Sequence, residues 1–189
     1  MLRRVAFFVA FVFCLSGCCR VALAQQVVHA LTGTVSSIDP ADKTITMFLD
    51  GGSEGVFKDM TNQKVSLSVD KKVLSDTTTP DEFKKSGAYV IVFYFGEADA
   101  RTAVALRSLG KGPFTAATGT VTQFESHRSI SVQDKSGATQ TFALNADTVA
   151  EGMIGAVSGL KFSAGKGDHV RIVGTTKDGN PIALFVSEM

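Results

Sequence analysis

The chain has 189 residues, of which 44% are hydrophobic and 20% are charged, and it contains no Trp. Its 19 Lys and Arg nearly balance its 18 Asp and Glu, so no excess of positive charge favours binding to nucleic acid. The length fits one large β-domain or two small ones.

The first 24 residues have the pattern of an export signal. Arg3 and Arg4 precede an apolar run over residues 5–15, which is shorter than the roughly 20 residues of a membrane-spanning helix. We therefore expect an exported protein, either periplasmic or associated with the cell envelope.

The end of this signal can be read in three ways. Residues 22–24 (ALA) offer the small side chains that signal peptidase accepts, and cleavage there would make Gln25 the first residue. Residues 15–18 (LSGC) resemble the bacterial lipobox, in which Cys18 would be lipidated and become the N-terminus. The third possibility is an uncleaved anchor. We expect contact with a membrane only through a lipid at Cys18.

Removal of the predicted signal would change the cysteine content and the net charge of the chain. All three cysteines, Cys14, Cys18 and Cys19, lie in the first 24 residues, so a chain that begins at Gln25 has no disulfide and no thiolate metal site. The same 24 residues hold three Arg and no acid, which leaves the remainder slightly acidic.

After the signal, the first half of the chain reads as a series of short strands. We predict strands over the alternating or Thr/Val-rich runs and turns over the Gly, Pro and Asp clusters between them. Gly33 stands where a strongly bent strand has no room for a side chain. The predicted strands are residues 31–38, 43–49, 63–69, 88–95 and 102–109.

Two segments of this half differ from simple alternation. Residues 79–85 (TPDEFKK) carry a capping Thr, Pro at the first helical position and acids before bases, which predicts a short helix before the fourth strand. Residues 88–95 (AYVIVFYF) are nearly all apolar, which predicts a strand covered on both faces. We expect the second half, or the short helix, to cover its outer face.

The second half repeats the first in order and in sequence. Residues 118–124 (TGTVTQF) restate residues 32–38 (TGTVSSI). The glycines within residues 150–162 predict at most a weak helix there. The predicted strands are residues 117–124, 129–133, 140–144, 168–175 and 181–186.

This repetition predicts an all-β fold of two tandem small antiparallel barrels of the OB type, with about five strands each. A sandwich is the competing arrangement. We predict a first barrel over residues 25–110, a linker over 111–114 and a second barrel over 115–189.

The order of the motifs resembles that of small exported bacterial β-barrel domains of unknown function. Residues 167–173 (GDHVRIV) carry this likeness in the second half, and residues 87–90 (GAYV) are its counterpart in the first half without the Asp. The resemblance implies fold and export and supplies no catalytic residue. Periplasmic copper-carrying barrels are similar in shape but use a Trp, which this chain lacks. Met47 stands near the strand expected in such barrels, but Met60 and Met153 have no evident spacing to a His.

Residues with catalytic or metal-binding side chains are scattered along the chain. The three imidazoles, His29, His127 and His169, lie in separate elements, so they predict no metal site. Ser126, His127 and Asp168 invite a triad, but the chain has no Gly-x-Ser-x-Gly elbow. Other candidates are better explained by turns or by the core: the acidic pairs Asp81/Glu82 and Glu97/Asp99, the loop at residues 165–168 (GKGD), and the aromatic residues Tyr89, Phe93, Tyr94 and Phe95.

The favoured expectation is a non-enzymatic binding or accessory module of the bacterial envelope, without cofactor or metal, whose partner is an unknown protein or small ligand. The alternative is an enzyme or metal-binding protein with a site built from the scattered His and acids. A pocket that joins His127 or His169 to two acids would favour the alternative.

Overall fold

The computed structural model describes residues 25–60 and 65–189. The predicted export signal, with Cys18 and the predicted cleavage after Ala24, lies outside these ranges. The fold is all-β. In the part of the chain that the structure describes, no helix is long and apolar enough to cross a membrane.

The described residues of the first half contain seven strands and two short 3-10 helices, Lys71–Leu74 and Ala98–Ala100. Its strands are β1 (Gln26–Val27), β2 (His29–Asp39), β3 (Thr44–Leu49), β4 (Glu54–Asp59), β5 (Leu67–Ser68), β6 (Tyr89–Phe95) and β7 (Thr102–Ser108). The second half adds β8 (Thr115–Glu125), β9 (Ser129–Gln133), β10 (Thr139–Ala143), β11 (Val149–Gly152), β12 (Gly155–Ser158), β13 (His169–Lys177) and β14 (Asn180–Glu188).

Five strands of the first half close into a barrel in the order β2-β3-β4-β7-β6. All neighbours are antiparallel except β4 and β7, which run parallel at Lys58 and Thr102. Alternate residues point inward, and the fully buried Met47, Phe57 and Leu106 fill the interior. The chain therefore forms one closed barrel with its own core.

The second half forms a seven-stranded sheet in the order β10-β9-β8-β13-β14-β11-β12. One further parallel pairing, between Ala143 of β10 and Ile182 of β14, joins strands from different parts of this sheet. Val121, Ile130 and Ile172 belong to its core, which is separate from that of the barrel.

The long strands β2 and β8, which hold corresponding places in the two halves, each have a β-bulge at the same position. The pairing of β2 with β3 shifts between Val35 and Ser37, and the pairing of β8 with β9 shifts between Val121 and Gln123. The bulged residue is Ser36 in one case and Thr122 in the other. Its hydroxyl donates to a carbonyl of the next strand in both halves, Ser36 Oγ to Thr46 O at 3.1 Å and Thr122 Oγ1 to Ser131 O at 3.2 Å.

The turns that precede β6 in the first half and β13 in the second half also make the same hydrogen bonds. In the first half, Val35 N donates to Ala88 O at 3.0 Å and Gly87 N donates to Val35 O at 2.8 Å. In the second half, the corresponding bonds run from Val121 N to Asp168 O at 2.8 Å and from Gly167 N to Val121 O at 2.9 Å. The motif at residues 167–170 thus occupies the same place as its counterpart at residues 87–90.

A third apolar cluster lies between the halves. Ile91, Phe93 and Ala105 of the barrel pack in it with Val173 and Phe185 of the second sheet. Residues 90–93 are completely buried, because Val90 and Val92 face the barrel interior while Ile91 and Phe93 face the second half. This confirms the prediction that the strand over residues 88–95 is covered on both faces, with the second half as the outer cover.

The third barrel strand was wrongly predicted. The barrel uses Glu54–Asp59, within residues that read as a loop and an ambiguous segment. Of the predicted strand at residues 63–69, only Leu67–Ser68 is a strand, and it pairs in parallel with β1 outside the barrel. Residues 63 and 64 lie outside the described ranges.

The predicted helix over residues 79–85 was also wrong. Glu82 N and Phe83 N donate to Thr79 O, which makes a single turn, and the Thr79 side chain bonds to Asp81. Phe83 is 4% exposed because it packs in the barrel core, and this pulls the chain away from a helical path. The short helical segment before the fourth barrel strand lies instead at Lys71–Leu74.

The weak helix considered for residues 150–162 is a β-hairpin in the structure. Strand β11 pairs with β12, from Val149 with Ser158 to Gly152 with Gly155. Strand β11 also lies parallel to β14, so the hairpin extends the second sheet.

Candidate functional site

A carboxylate of the first half gathers donors from both halves. Asp50 Oδ2 accepts hydrogen bonds from Thr32 Oγ1 at 2.6 Å and from Tyr89 OH at 2.5 Å. Arg171 Nη2 of the second half lies 2.9 Å from the same oxygen. The side chains of Asp50 and Arg171 are only 17% and 21% exposed, so loss of either one would leave the charge of the other unpaired in a partly buried place.

The tyrosine of this cluster is held in its neutral form. Burial, followed by the hydrogen bond to Asp50 and its negative charge, raises the pKa of Tyr89 well above its ordinary value. Its ring also packs on Phe114, with centroids 5.0 Å apart. Tyr89 therefore donates a hydrogen bond that positions Asp50, the carboxylate that also meets Arg171 of the second half, which is a structural role.

A second polar contact joins the halves at the beginning of β2. His29 Nδ1 lies 2.6 Å from Glu151 Oε1, and Ala30 N donates to Glu151 Oε2 at 2.7 Å. Burial raises the pKa of Glu151 despite these bonds. The ring of His29 lies 5.8 Å from that of Tyr94. His29 and Glu151, which are far apart in the sequence, are therefore paired with each other across the interface between the halves.

Arg107 and Asp70 complete the junction. Arg107 Nη1 donates to Asp147 O at 2.9 Å, and Nη2 donates to Val73 O at 2.6 Å. The Asp70 carboxylate accepts from Ser158 N at 3.2 Å and lies 3.2 Å from Lys161 Nζ. Each side chain fastens its own half to the other.

An open cleft of about 390 Å³ lies at the end of the second sheet. Thr120 on β8 and His169 on β13 are paired on neighbouring strands and both line the cleft, with Thr120 Oγ1 3.4 Å from His169 Nδ1. Lys135 lines the same cleft from the turn after β9 and is exposed. The cleft therefore presents a cation, an imidazole and hydroxyl groups beside a lining that is mostly apolar.

The acid in this cleft is already engaged. Asp134 Oδ1 accepts from Ser136 N at 2.8 Å, Ser136 Oγ at 2.6 Å and Ala138 N at 3.0 Å. The bond from the Ser136 hydroxyl is the main cause that lowers the pKa of Asp134. Asp134 holds its turn together, and its charge is partly offset by these donors.

Two other clefts border the turns of the halves. One of about 310 Å³ lies in the first half between the β2–β3 turn and the segment at Pro80, with Lys43, Asp59 and Lys84 in its lining. Another of about 280 Å³ shares Thr118 and Asp134 with the His169 cleft. Their linings mix apolar and charged groups without a reactive constellation.

The remaining predicted site residues do not converge. His127 is exposed in a turn, where its Nδ1 lies 3.2 Å from Ser126 Oγ, and Asp168 bonds to Gly165 N. Met47 is buried in the barrel core and Met153 is 95% exposed on a hairpin. Phe93 and Phe95 are buried and Tyr94 is partly buried, as core packing predicts.

The described ranges, 25–60 and 65–189, contain no group of three or more His, Cys, Asp or Glu side chains close enough to hold a metal ion. The cleft at His169 holds one acid, Asp134. The pocket that would favour the metal or enzyme alternative is therefore not formed in this part of the chain. Sequence reasoning missed the pairs His29/Glu151 and Asp50/Arg171, since nothing local signals contacts between residues more than 100 positions apart.

No protein-family model and no curated protein matches the chain. The geometry defines its class as an all-β protein with one closed five-stranded barrel packed against a second sheet.

Proposed function

We propose that the chain is an exported, non-enzymatic binding module of the bacterial envelope, and that its ligand site is the His169 cleft. The observation that carries this proposal is a difference between corresponding positions. Tyr89 pairs with Thr34 on the neighbouring strand as His169 pairs with Thr120. Tyr89 is bonded to Asp50 at the interface of the halves, whereas His169 opens to solvent beside Lys135.

We further propose that the two halves are two barrels of the OB type produced by duplication. The first barrel closes in the strand order first, second, third, fifth, fourth, with the third and fifth strands parallel, as expected of a Greek-key barrel of this type. The pairing of Ala143 with Ile182 would close the second half in the same order. The shared bulge at Ser36 and Thr122 supports a common origin.

The chemistry of the cleft favours a ligand with a negatively charged group. Lys135 supplies an ammonium, and the imidazole of His169 and the hydroxyl of Thr120 supply further hydrogen-bonding groups. The nearby carboxylate of Asp134 is bonded to its own turn and competes weakly for these donors. A carboxylate or a phosphate on a small molecule or peptide fits this lining.

Titration with inorganic phosphate and with acetate tests this site. Backbone amide NMR signals of Thr120, Lys135 and His169 should shift with either anion, and the shifts should be lost in Lys135→Ala. Lys166→Ala is the matched control, because Lys166 is an exposed lysine of the same half outside the cleft. Equal shifts in both variants, or shifts that follow exposed lysines generally, would contradict the proposal.

Export and lipidation are tested on the full chain in a bacterial host. Labelling with radioactive palmitate should mark the wild type and not Cys18→Ala if the lipobox is used. A periplasmic, unlabelled chain beginning at Gln25 would instead show cleavage after Ala24. A chain retained in the cytoplasm would contradict the envelope location.

A further inference from the structure

Two large apolar side chains project from the hairpin of β11 and β12. Met153 is 95% exposed and Ile154 is 80% exposed. We call these two residues the tip. They stand between Gly152 and Gly155, which pair with each other at the end of the hairpin. Contiguous apolar surface that is exposed to solvent can mark a site of contact with a protein or a membrane.

The tip is fixed to the rest of the molecule. Strand β11 lies along β14, and Ala156 N donates to Val28 O at 2.8 Å. A methyl group placed on Gly155 would lie 2.5 Å from Val27 Cγ1 and 2.6 Å from Val28 O. The hairpin is therefore wedged against the beginning of the first half, and its tip cannot fold back without breaking these contacts.

This wedge places the tip where the chain enters the fold. Ile154 is followed at once by Gly155, which touches Val27, and Gln25 lies only two residues before Val27. An extended chain spans about 3.5 Å per residue, so the seven residues from Cys18 to Gln25 reach at most about 25 Å. A chain held at its leader would bring the tip close to the same bilayer.

The surroundings of the tip suit a neutral lipid surface. A shallow apolar cleft of about 200 Å³ behind the tip is lined by Val157 and Phe162, with Lys161 and Glu188 at its edge. Lys161 is paired with Asp70, so the patch has no strong net charge to attract a charged peptide.

We propose that Met153 and Ile154 enter the boundary between the headgroups and acyl chains of a phospholipid bilayer. This inference rests on the envelope location in the proposed function. A protein is held to a membrane more stably by two apolar contacts than by one. The tip is this second contact, and it also sets which side of the molecule faces the lipid.

The absence of Trp from the natural sequence makes the test direct. Met153→Trp and Phe48→Trp each give the full chain one fluorescent reporter, and Phe48 is the matched control because it is 59% exposed on the outer face of the barrel. Each protein is mixed with phosphatidylcholine vesicles, with and without brominated acyl chains. The emission of the Met153→Trp variant should shift to shorter wavelength and be mostly quenched by the brominated lipid, and that of the Phe48→Trp variant should stay unchanged.

Sedimentation of the same samples separates the two hypotheses. A Met153→Trp chain that sediments with vesicles while its fluorescence remains unquenched overturns the role of the tip and leaves the envelope location standing. A chain that does not sediment overturns the membrane contact of the tip, whereas the envelope location is overturned only by retention of the chain in the cytoplasm. Emission from Met153→Trp that is already at short wavelength without vesicles also overturns the proposal, because the tip is then covered by protein. If this emission does not depend on protein concentration, the leader of the same chain covers the tip. If it does, a second copy of the chain covers it.

Discussion

At the scale of single residues, Gly33 and Gly119 are fixed by the path of a neighbouring strand. A side-chain carbon at Gly33 would lie 2.5 Å from Phe48 O, and one at Gly119 would come closer still to Gln133 O. These contacts are to backbone atoms, which cannot move aside as the end of a side chain can. The prediction that the first strand has no room for a side chain at Gly33 is confirmed.

Gly119→Ala should therefore lower the free energy of unfolding by about 3 kcal/mol, because either β8 or β9 must shift to admit the methyl group. Gly51→Ala is the control, since nothing lies within 4 Å of its added carbon. That change should alter the stability by less than about 0.5 kcal/mol. Urea denaturation followed by circular dichroism measures both, and similar losses in the two variants would contradict the argument.

Asp70 predicts a stability effect that depends on pH. Burial by itself would raise the pKa of this carboxyl, but hydrogen bonds from Ser158 N, Lys72 N and Lys161 outweigh burial and lower it below its ordinary value of 3.8. A carboxyl with a lowered pKa stabilises the fold above the unfolded pKa, and this stabilisation is lost as pH falls through the folded pKa. Asp70→Asn should cost about 1–2 kcal/mol at pH 7, and the difference from wild type should shrink below pH 3.8.

Urea unfolding of the wild type and Asp70→Asn at pH 7 and at pH 3 measures this difference. If the wild type and Asp70→Asn differ in stability by the same amount at pH 7 and at pH 3, the loss does not come from the charge of Asp70, which contradicts the prediction. Lys43→Gln is the control for long-range effects, because it neutralises a lysine that forms no ion pair within the described residues.

At the scale of elements, local pattern predicted most strands of the second half and failed where packing decided. Residues 54 and 55 read as the end of a Gly-rich loop and residues 56–59 as ambiguous, although Gly55 stands at an inward position of β4. Gly55 is there because Leu49 and Phe57 already fill the space, and its side-chain carbon would lie 2.9 Å from Leu49 Cδ1. No sequence window contains that information, since it depends on how β3 lies against β4.

The same limit applies to the segment at residues 79–85 and to the polar contacts. Thr79 begins a single turn, as its capping pattern indicates, but the burial of Phe83 outweighs the helical preference of the neighbouring residues. His169 was considered from the sequence and Lys135 was not, and their place in one cleft follows from the pairing of β8 with both β13 and β9. The pairing of Arg171 with Asp50 depends on how the two halves dock.

Asp50→Ala tests this contact between elements. The change leaves Tyr89 OH and Arg171 without their shared acceptor in a largely buried place, so unfolding should become easier by about 2 kcal/mol. The double variant Asp50→Ala/Arg171→Met should lose less than the sum of the single changes, because it removes the unpaired charge as well. Strict additivity in urea denaturation would show that the two residues do not interact.

At the scale of the whole molecule, the shared apolar cluster makes the halves depend on each other. Ile91 and Phe93 of the barrel, with Val173 and Phe185 of the second sheet, would be exposed if either half unfolded alone. Exposure of these side chains costs about 1.5–3 kcal/mol each. The two cores should therefore unfold in one cooperative transition.

Two variants that each carry a single Trp measure this cooperativity. Phe48→Trp reports on the barrel, and Phe124→Trp reports on the second sheet, where Phe124 packs on the core beside Phe162. Both fluorescence signals should change at the same urea concentration. Midpoints separated by more than the error of the fit would show that the halves unfold independently.

The packing of the halves has an evolutionary consequence. Ile91 and Arg171 hold the same register position, opposite Thr32 and Thr118 respectively, yet only Arg171 has a carboxylate to meet. A lone ancestral unit that self-associated through this face would have had to place the same residue on both sides of the contact. In the proposed duplication, fusion of the two copies removes that constraint, so Arg171 can form an ion pair with Asp50 while the corresponding residue Ile91 packs in the apolar cluster between the halves.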